Sequence, residues 1–316
     1  MMKTVLFIVG PTAVGKTAIG VDLALTFGGE VISGDSMQVY KGLDIGTAKV
    51  TSEERKGVPH HLIDTLSPGE AFSASSFQRE AFQLIDQLFL NERLPIVVGG
   101  TGLYIKGLTK NLSFHDTDPD EGLRAELEDI LAAEGPAALH QRLKQQDPKS
   151  AESIHWNNGK KLIRAIEIVE TTGSTLTEFG ADVEEEPSYQ TLLIGLTMER
   201  SKLYERINLR VDQMVEQGLV EEARQLYTSR LEQSQAAKAI GYKEFFPYFA
   251  GEQSLDDAIL QLKQNSRRFA KRQLTWFRNK ENVEWFDRTN DTYENTLQKI
   301  TDYVKGNSKE SSNINI

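Results

Sequence analysis

Residues 5–17 read Val-Leu-Phe-Ile-Val-Gly-Pro-Thr-Ala-Val-Gly-Lys-Thr, an apolar run that leads directly into a glycine-bounded loop. A short apolar run rich in β-branched residues predicts a buried strand. The loop fits the pattern G-x-x-x-x-G-K-[ST], and residues 18–27 predict a helix after it. Strand, loop and helix together are the context in which this pattern binds phosphate.

The loop predicts a site for two linked phosphates. Glycines at positions 10 and 15 let the backbone wrap with its N–H groups pointing inward. These donors, the helix N-terminus and the Lys16 ammonium favour a diphosphate, and the Thr17 hydroxyl is placed to hold Mg²⁺ on it. The pattern does not specify which diphosphate. The expected contact residues are Gly10, Pro11, Thr12, Ala13, Val14, Gly15, Lys16 and Thr17.

The composition is typical of a soluble globular protein. A chain of 316 residues can bury a sizeable core and allows about two domains. Because the chain has no cysteine, disulfides, cysteine-ligated zinc and iron–sulfur clusters are excluded, and the adjacent His60 and His61 lack a ligand set. The sequence shows no secretion signal and no run long enough to cross a bilayer, so we expect a cytoplasmic monomer without membrane contacts.

Further apolar stretches predict the fold class. Residues 30–33, 94–98 and 191–197 predict strands, and helical patterns such as residues 77–91 separate them. Continuous apolar runs, rather than alternating ones, indicate a parallel sheet covered by helices on both faces. We therefore predict an α/β fold with a parallel sheet like that of the P-loop NTPases.

A helical segment interrupts this α/β core. After a polar, proline-containing link at residues 116–120, helical patterns continue without a strand candidate. The chain is therefore divided into an α/β core with a helical C-terminal part, a helical insertion and a polar tail that we expect to be disordered. The predicted ranges are 1–114 with 189–305 for the core, 115–188 for the insertion and 306–316 for the tail.

Candidate catalytic residues collect at the carboxyl edge of the sheet, where parallel sheets bind ligands. The phosphate loop, Asp35 and Thr101 should meet there. Asp35 is either a general base beside bound phosphates or the start of an Asx-turn, and its position does not decide between them. Thr101 either donates to a leaving oxygen or satisfies the backbone of a glycine-rich turn. The long loop 37–59 is expected to carry function.

Most proteins with this loop act on ATP or GTP, so a kinase or NTPase is the default interpretation. Such enzymes usually place an acidic residue at the end of an apolar strand to help hold Mg²⁺. Here the strand at residues 94–98 ends in Gly-Gly-Thr, and the acidic residue at a strand end is Asp35. This departure weakens the NTPase interpretation.

Basic residues are segregated, although the net charge of −10 argues on average against a nucleic-acid partner. Like-charged i, i+4 pairs such as Arg267/Lys271 cost about 0.2–0.5 kcal/mol each, and a helix that tolerates them usually faces an anion. A solvated face is the alternative, and nearby Tyr242, Trp276 and Phe277 either stack on bases or belong to the core. The insertion carries Lys160, Lys161 and Arg164, and the acid-free residues 258–280 carry Lys263, Arg267, Arg268, Lys271, Arg272, Arg278 and Lys280.

Five stretches in chain order carry a family resemblance. They are residues 10–17 (Gly-Pro-Thr-Ala-Val-Gly-Lys-Thr), 35–49 (Asp-Ser-Met-Gln-Val-Tyr-Lys-Gly-Leu-Asp-Ile-Gly-Thr-Ala-Lys), 98–104 (Val-Gly-Gly-Thr-Gly-Leu-Tyr), 239–244 (Ala-Ile-Gly-Tyr-Lys-Glu) and 271–277 (Lys-Arg-Gln-Leu-Thr-Trp-Phe). With them the chain resembles the tRNA dimethylallyltransferases (isopentenyl-diphosphate:tRNA transferases) of the bacterial type over nearly its whole length.

The resemblance implies transfer of a dimethylallyl group from dimethylallyl diphosphate to N6 of the adenosine 3′-adjacent to the anticodon, with Mg²⁺ as cofactor. Asp35 would accept the amine proton, and Thr101 would hold the bridging oxygen of the leaving group. Lys16, and Thr17 through Mg²⁺, would neutralise charge on the pyrophosphate. Because the diphosphate leaves whole, no NTPase-type acidic residue is required.

The resemblance also implies contacts with the tRNA anticodon stem-loop, whose target base should be flipped into a channel between core and insertion. Lys238 corresponds to an arginine that contacts phosphate in some members, and it lacks the bidentate fork. The zinc finger of eukaryotic members is absent. The implied tRNA contacts are Asp35, Ser36, Met37, Gln38, Thr101, Arg124, Lys160, Lys161 and Arg164.

Three other functions stay open on the sequence alone. A prenyltransferase acting on free adenosine phosphates would not need the helical insertion or the basic helix. A small-molecule kinase would have to do without the usual acidic residue. A non-catalytic RNA-binding module would bind without turnover and would tolerate Asp35→Ala. We expect ATP to be at most a weak competitor at the diphosphate site.

Overall fold

A computed structural model of the chain describes residues 3–112, 114, 120–176, 186–232 and 234–308. The chain forms two compact units. The core unit comprises Met1–Thr109 with Pro187–Ile316, and the insertion unit comprises Lys110–Glu186. Both boundaries of the insertion unit lie slightly before the predicted ones. Most of the predicted link at 116–120 lies outside the described residues.

Strands and helices alternate through most of the core unit, and the helices between residues 121 and 172 belong to the insertion unit. The strands are β1 (Thr4–Val9), β2 (Gly29–Gly34), β3 (His60–His61), β4 (Leu94–Gly99), β5 (Gln190–Thr197) and β6 (Glu284–Asp287). The helices are α1 (Lys16–Phe27), α2 (Ser52–Arg55), α3 (Ala74–Leu90), α4 (Gly102–Thr109), α5 (Glu121–Ala133), α6 (Pro136–Gln146), α7 (Pro148–Ser153), α8 (Gly159–Thr172), α9 (Arg200–Glu216), α10 (Leu219–Thr228), α11 (Phe246–Phe249), α12 (Leu255–Lys280) and α13 (Tyr293–Ser308). Among the described helices, none combines the length and apolar character that a bilayer crossing needs.

The strands of the described residues form one parallel sheet in the order β3-β2-β4-β1-β5-β6. The pairing register places Val9 of β1 beside Gly99 of β4 and Gly195 of β5. It also places Gly34, at the end of β2, beside Gly99. The carboxyl ends of the central strands are therefore level at one edge, and the predicted parallel α/β fold is confirmed.

Burial of β1 shows why its sequence is continuously apolar. Val5, Phe7 and Val9 alternate with Leu6 and Ile8, and all of them are fully buried. The first set packs in a cluster with α3 and α4, and the second set packs in a cluster with α1 and α13. Because side chains alternate between the faces of a strand, a strand covered on both sides needs apolar residues at every position.

The region after residue 200, predicted to be mostly helical, also contains the strand β6. This strand is only four residues long and pairs with β5 at the sheet edge. The first and last residues of the strand, Glu284 and Asp287, are exposed. A short edge strand with charged ends lacks the continuous apolar run by which the buried strands were predicted.

The predicted polar tail at 306–316 is wrong for its first residues, because α13 continues to Ser308. Val304 is fully buried and fixes the last turns of this helix against the core. The side chain of Asn307 donates a hydrogen bond to the Tyr303 carbonyl at 2.9 Å. The remainder of the predicted tail lies outside the described residues.

The insertion unit is built from α5–α8, as the helical spacing of its apolar residues predicts. Leu127, Leu139, Leu143, Leu162 and Ile166 form its core and are fully buried. This core is separate from the two clusters that cover the faces of the sheet. The insertion unit therefore has its own hydrophobic centre.

Candidate active site

The phosphate loop is a tight turn between β1 and α1. Gly10 and Gly15 have φ angles of 141° and 97°. A Cβ atom at Gly10 would lie 2.5 Å from the Leu196 carbonyl oxygen, and one at Gly15 would lie 2.1 Å from Nη1 of Arg288. Gly10 requires glycine for backbone conformation and for space, whereas Gly15 requires it for its backbone conformation, since the clashing atom there is the movable end of the Arg288 side chain. Helix α1 begins at Lys16, earlier than predicted, so the helix N-terminus directly adjoins the loop.

Lys16 is a poorly solvated cation at the start of α1. Its Nζ donates a hydrogen bond to the Pro11 carbonyl at 2.8 Å. Burial lowers the pKa of Lys16 to about 8, against the opposing charge of Asp35 and with a smaller contribution from the Arg210 charge. An ammonium shielded from water interacts strongly with a nearby anion. Lys16 is thus suited to a diphosphate.

Three side chains from distant elements hold the phosphate loop. Gln273 of α12 accepts the Thr12 N–H at 2.8 Å and donates to the Gly100 carbonyl at 3.0 Å. Arg206 of α9 donates to the Ala13 carbonyl at 3.1 Å. Arg288, directly after β6, donates to the Val14 carbonyl at 2.7 Å.

None of these three residues is predicted from the sequence to have a role. Gln273 lies in the quoted stretch 271–277, which was its signal. Arg288 follows a strand that was not predicted, and no pattern in the sequence marks Arg206.

Asp35 follows β2 at the carboxyl edge of the sheet. Its Oδ1 accepts the Met37 N–H at 2.9 Å, so the predicted Asx-turn is present. Burial raises the pKa of the Asp35 carboxyl, while the Met37 N–H and the Lys16 charge act in the opposite direction. The side chain keeps some exposed surface because it opens on to the cavities beside it. The turn and the general-base role are therefore compatible.

Thr101 connects the ends of β2 and β4. Its hydroxyl oxygen accepts the Ser36 N–H at 3.2 Å, and its own N–H donates to the Gly34 carbonyl at 3.3 Å. The first bond uses a lone pair of the hydroxyl and leaves the hydroxyl proton for donation to another group. The structure thus brings Asp35 and Thr101 to one edge with the phosphate loop, as predicted.

Two cavities open at this edge, both within the core unit. The first, the diphosphate cavity, is lined by Lys16, Thr17, Asp35, Gln38 and Arg210, among others. The second, the acceptor cavity, is lined in part by Asp35, Ser36, Met37, Thr101 and Lys238. Asp35 therefore lies at the junction of the two cavities.

The acceptor cavity has an apolar wall. Val211 and Met214 of α9 and Leu262 and Phe269 of α12 contribute to it. Lys238 lines this cavity together with residues of the phosphate loop, including Thr12. A cavity with one apolar wall and a few polar groups is typical of small-molecule sites.

Gln38 lines the diphosphate cavity with its amide fixed by the protein. Its Oε1 accepts the Ser33 hydroxyl at 3.0 Å. Its Nε2 donates to the carbonyls of Thr47 at 3.2 Å and Ala48 at 3.4 Å. Nearby, the buried Lys49 donates to the Tyr40 carbonyl and pairs with Asp44 at 2.7 Å. These contacts connect the predicted functional loop to β2 and to its own backbone.

In the insertion unit, two of the residues predicted to contact tRNA interact with a buried carboxylate. Arg124 binds Glu167 through two hydrogen bonds of 2.6 and 2.7 Å, and only 2 % of the Glu167 side chain is exposed. Arg164 Nη1 lies 3.6 Å from the same carboxylate. Lys160 and Lys161, at the start of α8, are exposed. The arginines thus have a structural role, whereas the lysines are presented to solvent.

Several cations of α12 also have partners within the core unit. Lys263 pairs with Asp212, and Arg267 donates to Asn208 at 2.6 Å. Arg278 lies over the Trp285 ring, 5.8 Å from its centroid. A surface groove on this helix is lined by Arg268, Lys271, Arg272, Thr275, Trp276 and Asn279.

The aromatic residues near α12 belong mainly to the core. Tyr242 and Phe277 are fully buried, so neither is available to stack on a base. Trp276 is partly buried, and a Cβ atom at Gly102 would lie 2.3 Å from its ring. The structural interpretation of the histidines also agrees with the contacts, since His61 pairs with Glu30 at 2.7 Å.

Comparisons with known proteins identify the family of the chain. A family model described as IPP transferase matches residues 38–280. The tRNA dimethylallyltransferase of Halalkalibacterium halodurans is 52% identical over 313 residues, which cover 99% of this chain and 100% of that protein. The enzyme of the same name from Geobacillus thermodenitrificans is 52% identical over 315 residues, with the same coverage.

Solved structures give the same result. The full-length tRNA isopentenylpyrophosphate transferase from Bacillus halodurans aligns with a TM-score of 0.75 at 50% identity and covers 99% of this chain and 98% of its own. A eukaryotic dimethylallyltransferase acting on tRNA aligns with a TM-score of 0.82 at 31% identity, covering 98% of this chain and 80% of its own. Together with the phosphate loop and the two cavities that meet at Asp35, these matches show that the chain belongs to the IPP transferase family.

Proposed function

We propose that this protein transfers the dimethylallyl group of dimethylallyl diphosphate to N6 of the adenosine on the 3′ side of a tRNA anticodon and releases pyrophosphate. The observation that carries the proposal is the position of Asp35, which lines both the diphosphate cavity and the acceptor cavity. A carboxylate at this junction suits a base that acts on an acceptor while the donor is held by the phosphate loop. Relatives of similar length carry the name of this activity.

The reaction needs one bond made, one bond broken and one proton moved. The amine nitrogen bonds to the first carbon of the dimethylallyl group as the bond from that carbon to the diphosphate oxygen breaks. Pyrophosphate leaves with the bonding electrons, and the Asp35 carboxylate takes the amine proton. The raised pKa of Asp35 favours this proton transfer. The Thr101 hydroxyl donates a hydrogen bond to the bridging oxygen, where negative charge develops, and keeps its proton.

The residues at the phosphate loop fit Mg²⁺. This ion keeps several waters and binds through substrate phosphates with few protein ligands. Thr17 lines the diphosphate cavity beside Lys16, and its hydroxyl would hold the ion. Within the described ranges, no group of three or more His, Asp or Glu side chains is placed to bind a metal without substrate. When bound, Mg²⁺ neutralises charge on the diphosphate, as Lys16 does.

The acceptor base occupies the acceptor cavity in this proposal. Ser36, Met37 and Thr101 line it beside Asp35. Because an adenine stacked in an anticodon loop cannot enter a cavity, the base leaves the stack. Lys238 contacts the diphosphate from the same cavity, and Gln38 reads the base from the diphosphate side. On the insertion unit, the exposed Lys160 and Lys161 contact the tRNA backbone, and Arg124 and Arg164 contact it in addition to their interactions with Glu167.

The proposal is tested by incubating the protein with Mg²⁺, radiolabelled dimethylallyl diphosphate and unmodified tRNA, and counting label in the RNA. We expect label in tRNA with the wild type and with Asp256→Asn, an exposed aspartate on α12. We expect label to fall by at least about 100-fold with Asp35→Asn. Free AMP is the second acceptor.

Two outcomes contradict the proposal in different ways. Label in AMP but not in tRNA assigns the protein to the prenyltransferases of free adenosine phosphates. ATP consumption without label in either acceptor returns the phosphate loop to an NTPase role.

A further inference from the structure

Glu222 of α10 holds a loop by its backbone. Its Oε2 accepts the N–H groups of Asp44 at 2.8 Å and Ile45 at 2.9 Å. Its Oε1 accepts the Gly46 N–H at 2.9 Å and the Tyr242 hydroxyl at 2.8 Å. One carboxylate therefore satisfies three successive backbone donors and one tyrosine. Charged acceptors make stronger hydrogen bonds than neutral ones, so this arrangement fixes the loop firmly.

Tyr242 packs against the same loop. It is fully buried, and a Cβ atom at Gly46 would lie 2.6 Å from its ring. A Cβ atom at Gly241 would lie 3.3 Å from the Gly46 backbone, so the two glycines allow the two backbones to approach closely. Burial, and secondarily the Glu222 charge, raises the pKa of Tyr242. Its hydroxyl therefore stays protonated as a donor to Glu222.

The held loop forms a wall of both cavities. Thr47 and Ala48, which follow Gly46 directly, line the diphosphate cavity and the acceptor cavity. Ala48 has a φ of 51°, a conformation that alanine adopts only when its surroundings impose it. The Gln38 amide takes its orientation from the carbonyls of these two residues. Movement of the loop would displace the shared wall and Gln38 together.

We propose that Glu222 is a positioning residue for the transfer reaction. By fixing residues 44–46 it sets the wall shared by the two cavities, and so it sets the alignment of the acceptor amine with the reacting carbon of the donor. Among the described residues that line the two cavities, Glu222 is absent, so it acts on the substrates only through the loop. The inference rests on the proposed function, because it concerns how the two substrates of that reaction meet.

Glu222→Gln is expected to lower kcat more than it changes substrate binding. The new amide group faces backbone N–H groups with donors of its own, so part of the hydrogen bonding is lost. Misplacing reacting groups by about 1 Å can cost about 100-fold in rate, so we expect kcat to fall about 10- to 100-fold. The phosphate loop is held by Gln273, Arg206 and Arg288, so KM for dimethylallyl diphosphate should stay within about twofold.

The chain offers a matched control. Glu221 precedes Glu222 on α10, is exposed, and lies 3.6 Å from Arg224 on the same helix. Glu221→Gln makes the same change of charge without touching the loop. Tyr242→Phe keeps the ring against Gly46 and removes only the hydroxyl bond, so it should give a smaller fall in kcat in the same direction.

The experiment measures kcat and both KM values for the wild type, Glu222→Gln, Glu221→Gln and Tyr242→Phe, with the thermal unfolding midpoint of each. A fall in kcat at unchanged donor KM, present in Glu222→Gln and absent in Glu221→Gln, supports the inference. Identical kinetics of Glu222→Gln and Glu221→Gln overturn it, as does a loss fully explained by the unfolded fraction. If Glu222→Gln does not fold, wild-type kinetics in Tyr242→Phe overturn it and a reduced kcat there supports it. Absence of transfer by the wild type overturns the proposed function instead.

Discussion

The side chain of Gln273 accepts the backbone N–H of Thr12 at 2.8 Å, although the two residues are 261 positions apart in the chain. The other end of the same amide donates to the Gly100 carbonyl at 3.0 Å. One buried amide on α12 therefore ties the phosphate loop to the turn that follows β4. A Cβ atom at Gly100 would lie 2.1 Å from this amide, so the glycine-rich turn makes room for it.

Gln273→Leu should destabilise the protein and weaken donor binding. Leucine fills similar space but leaves the Thr12 N–H and the Gly100 carbonyl without their partner, at a cost of about 1–3 kcal/mol in the free energy of unfolding. The looser phosphate loop should raise KM for dimethylallyl diphosphate. Urea unfolding and steady-state kinetics measure the two effects. Gln261→Leu, on an exposed position of the same helix, is the control, and equal behaviour of the two variants contradicts the prediction.

Asp35→Asn should strongly reduce activity while increasing the stability of the fold. Removing the base should lower kcat by about 100- to 10,000-fold. In the wild type, burial raises the pKa of Asp35 above its unfolded value. Between these two values the folded state binds more protons than the unfolded state, so the stability contributed by this group falls as pH rises through that window.

The asparagine variant lacks this dependence and should therefore unfold at higher urea concentration than the wild type at neutral pH. At a pH below the unfolded pKa the difference should disappear. A variant that is less stable than the wild type at neutral pH would show that the lost charge, which faces Lys16 and the Met37 N–H, stabilises the folded state by more than its burial costs.

The sequence predicts those parts of the site that depend on neighbouring residues. Gly10, Gly15 and Lys16 belong to one short pattern, and Asp35 was found because it ends a strand. Topology then places Asp35 and Thr101 together, since parallel strands end at one edge.

The residues that hold the site were not predictable in this way. Arg288, which contacts the phosphate loop, follows an edge strand whose sequence does not resemble a buried strand. Glu222 is a charged residue on an amphipathic helix, and nothing in its surroundings in the sequence distinguishes it from the exposed Glu221. Contacts of this kind depend on how distant segments pack, which a local pattern does not encode.

Lys16 should make donor binding sensitive to alkaline pH. Burial lowers its pKa to about 8, so the ammonium loses its proton above that pH in the free protein. A bound diphosphate favours the charged form and moves the pKa back up. We therefore expect kcat/KM for dimethylallyl diphosphate to fall above about pH 8, while kcat changes less.

The same shift has a consequence for stability. Between about pH 8 and pH 10.5 the unfolded state binds the Lys16 proton and the folded state does not. The contribution of this group to the free energy of unfolding therefore increases as pH rises through that window. Lys16→Arg, whose guanidinium stays charged, should bind the donor more weakly at every pH but without the alkaline fall in kcat/KM. An unchanged alkaline fall in this variant assigns the titration to another group.

Variants at Lys161 and Arg124 should distinguish an effect on tRNA binding from an effect on the folding of the insertion unit. Lys161 is exposed, so Lys161→Ala should leave stability unchanged, raise KM for tRNA and reduce the salt dependence of binding by about one unit of slope.

Arg124→Ala leaves the buried Glu167 carboxylate without its two short hydrogen bonds and should destabilise the insertion unit by about 1.5–3 kcal/mol. Adding Glu167→Gln to Arg124→Ala should restore most of that stability, because no buried charge is then left. If tRNA binding by this double variant recovers together with its stability, Arg124 serves only the folding of the insertion unit. If tRNA binding by the double variant stays weak, with the smaller salt slope, Arg124 contacts the RNA as well. Urea unfolding and tRNA binding at several salt concentrations, measured on the same variants, give both quantities. A Lys161→Ala protein with wild-type affinity and wild-type salt slope would remove this lysine from the tRNA interface.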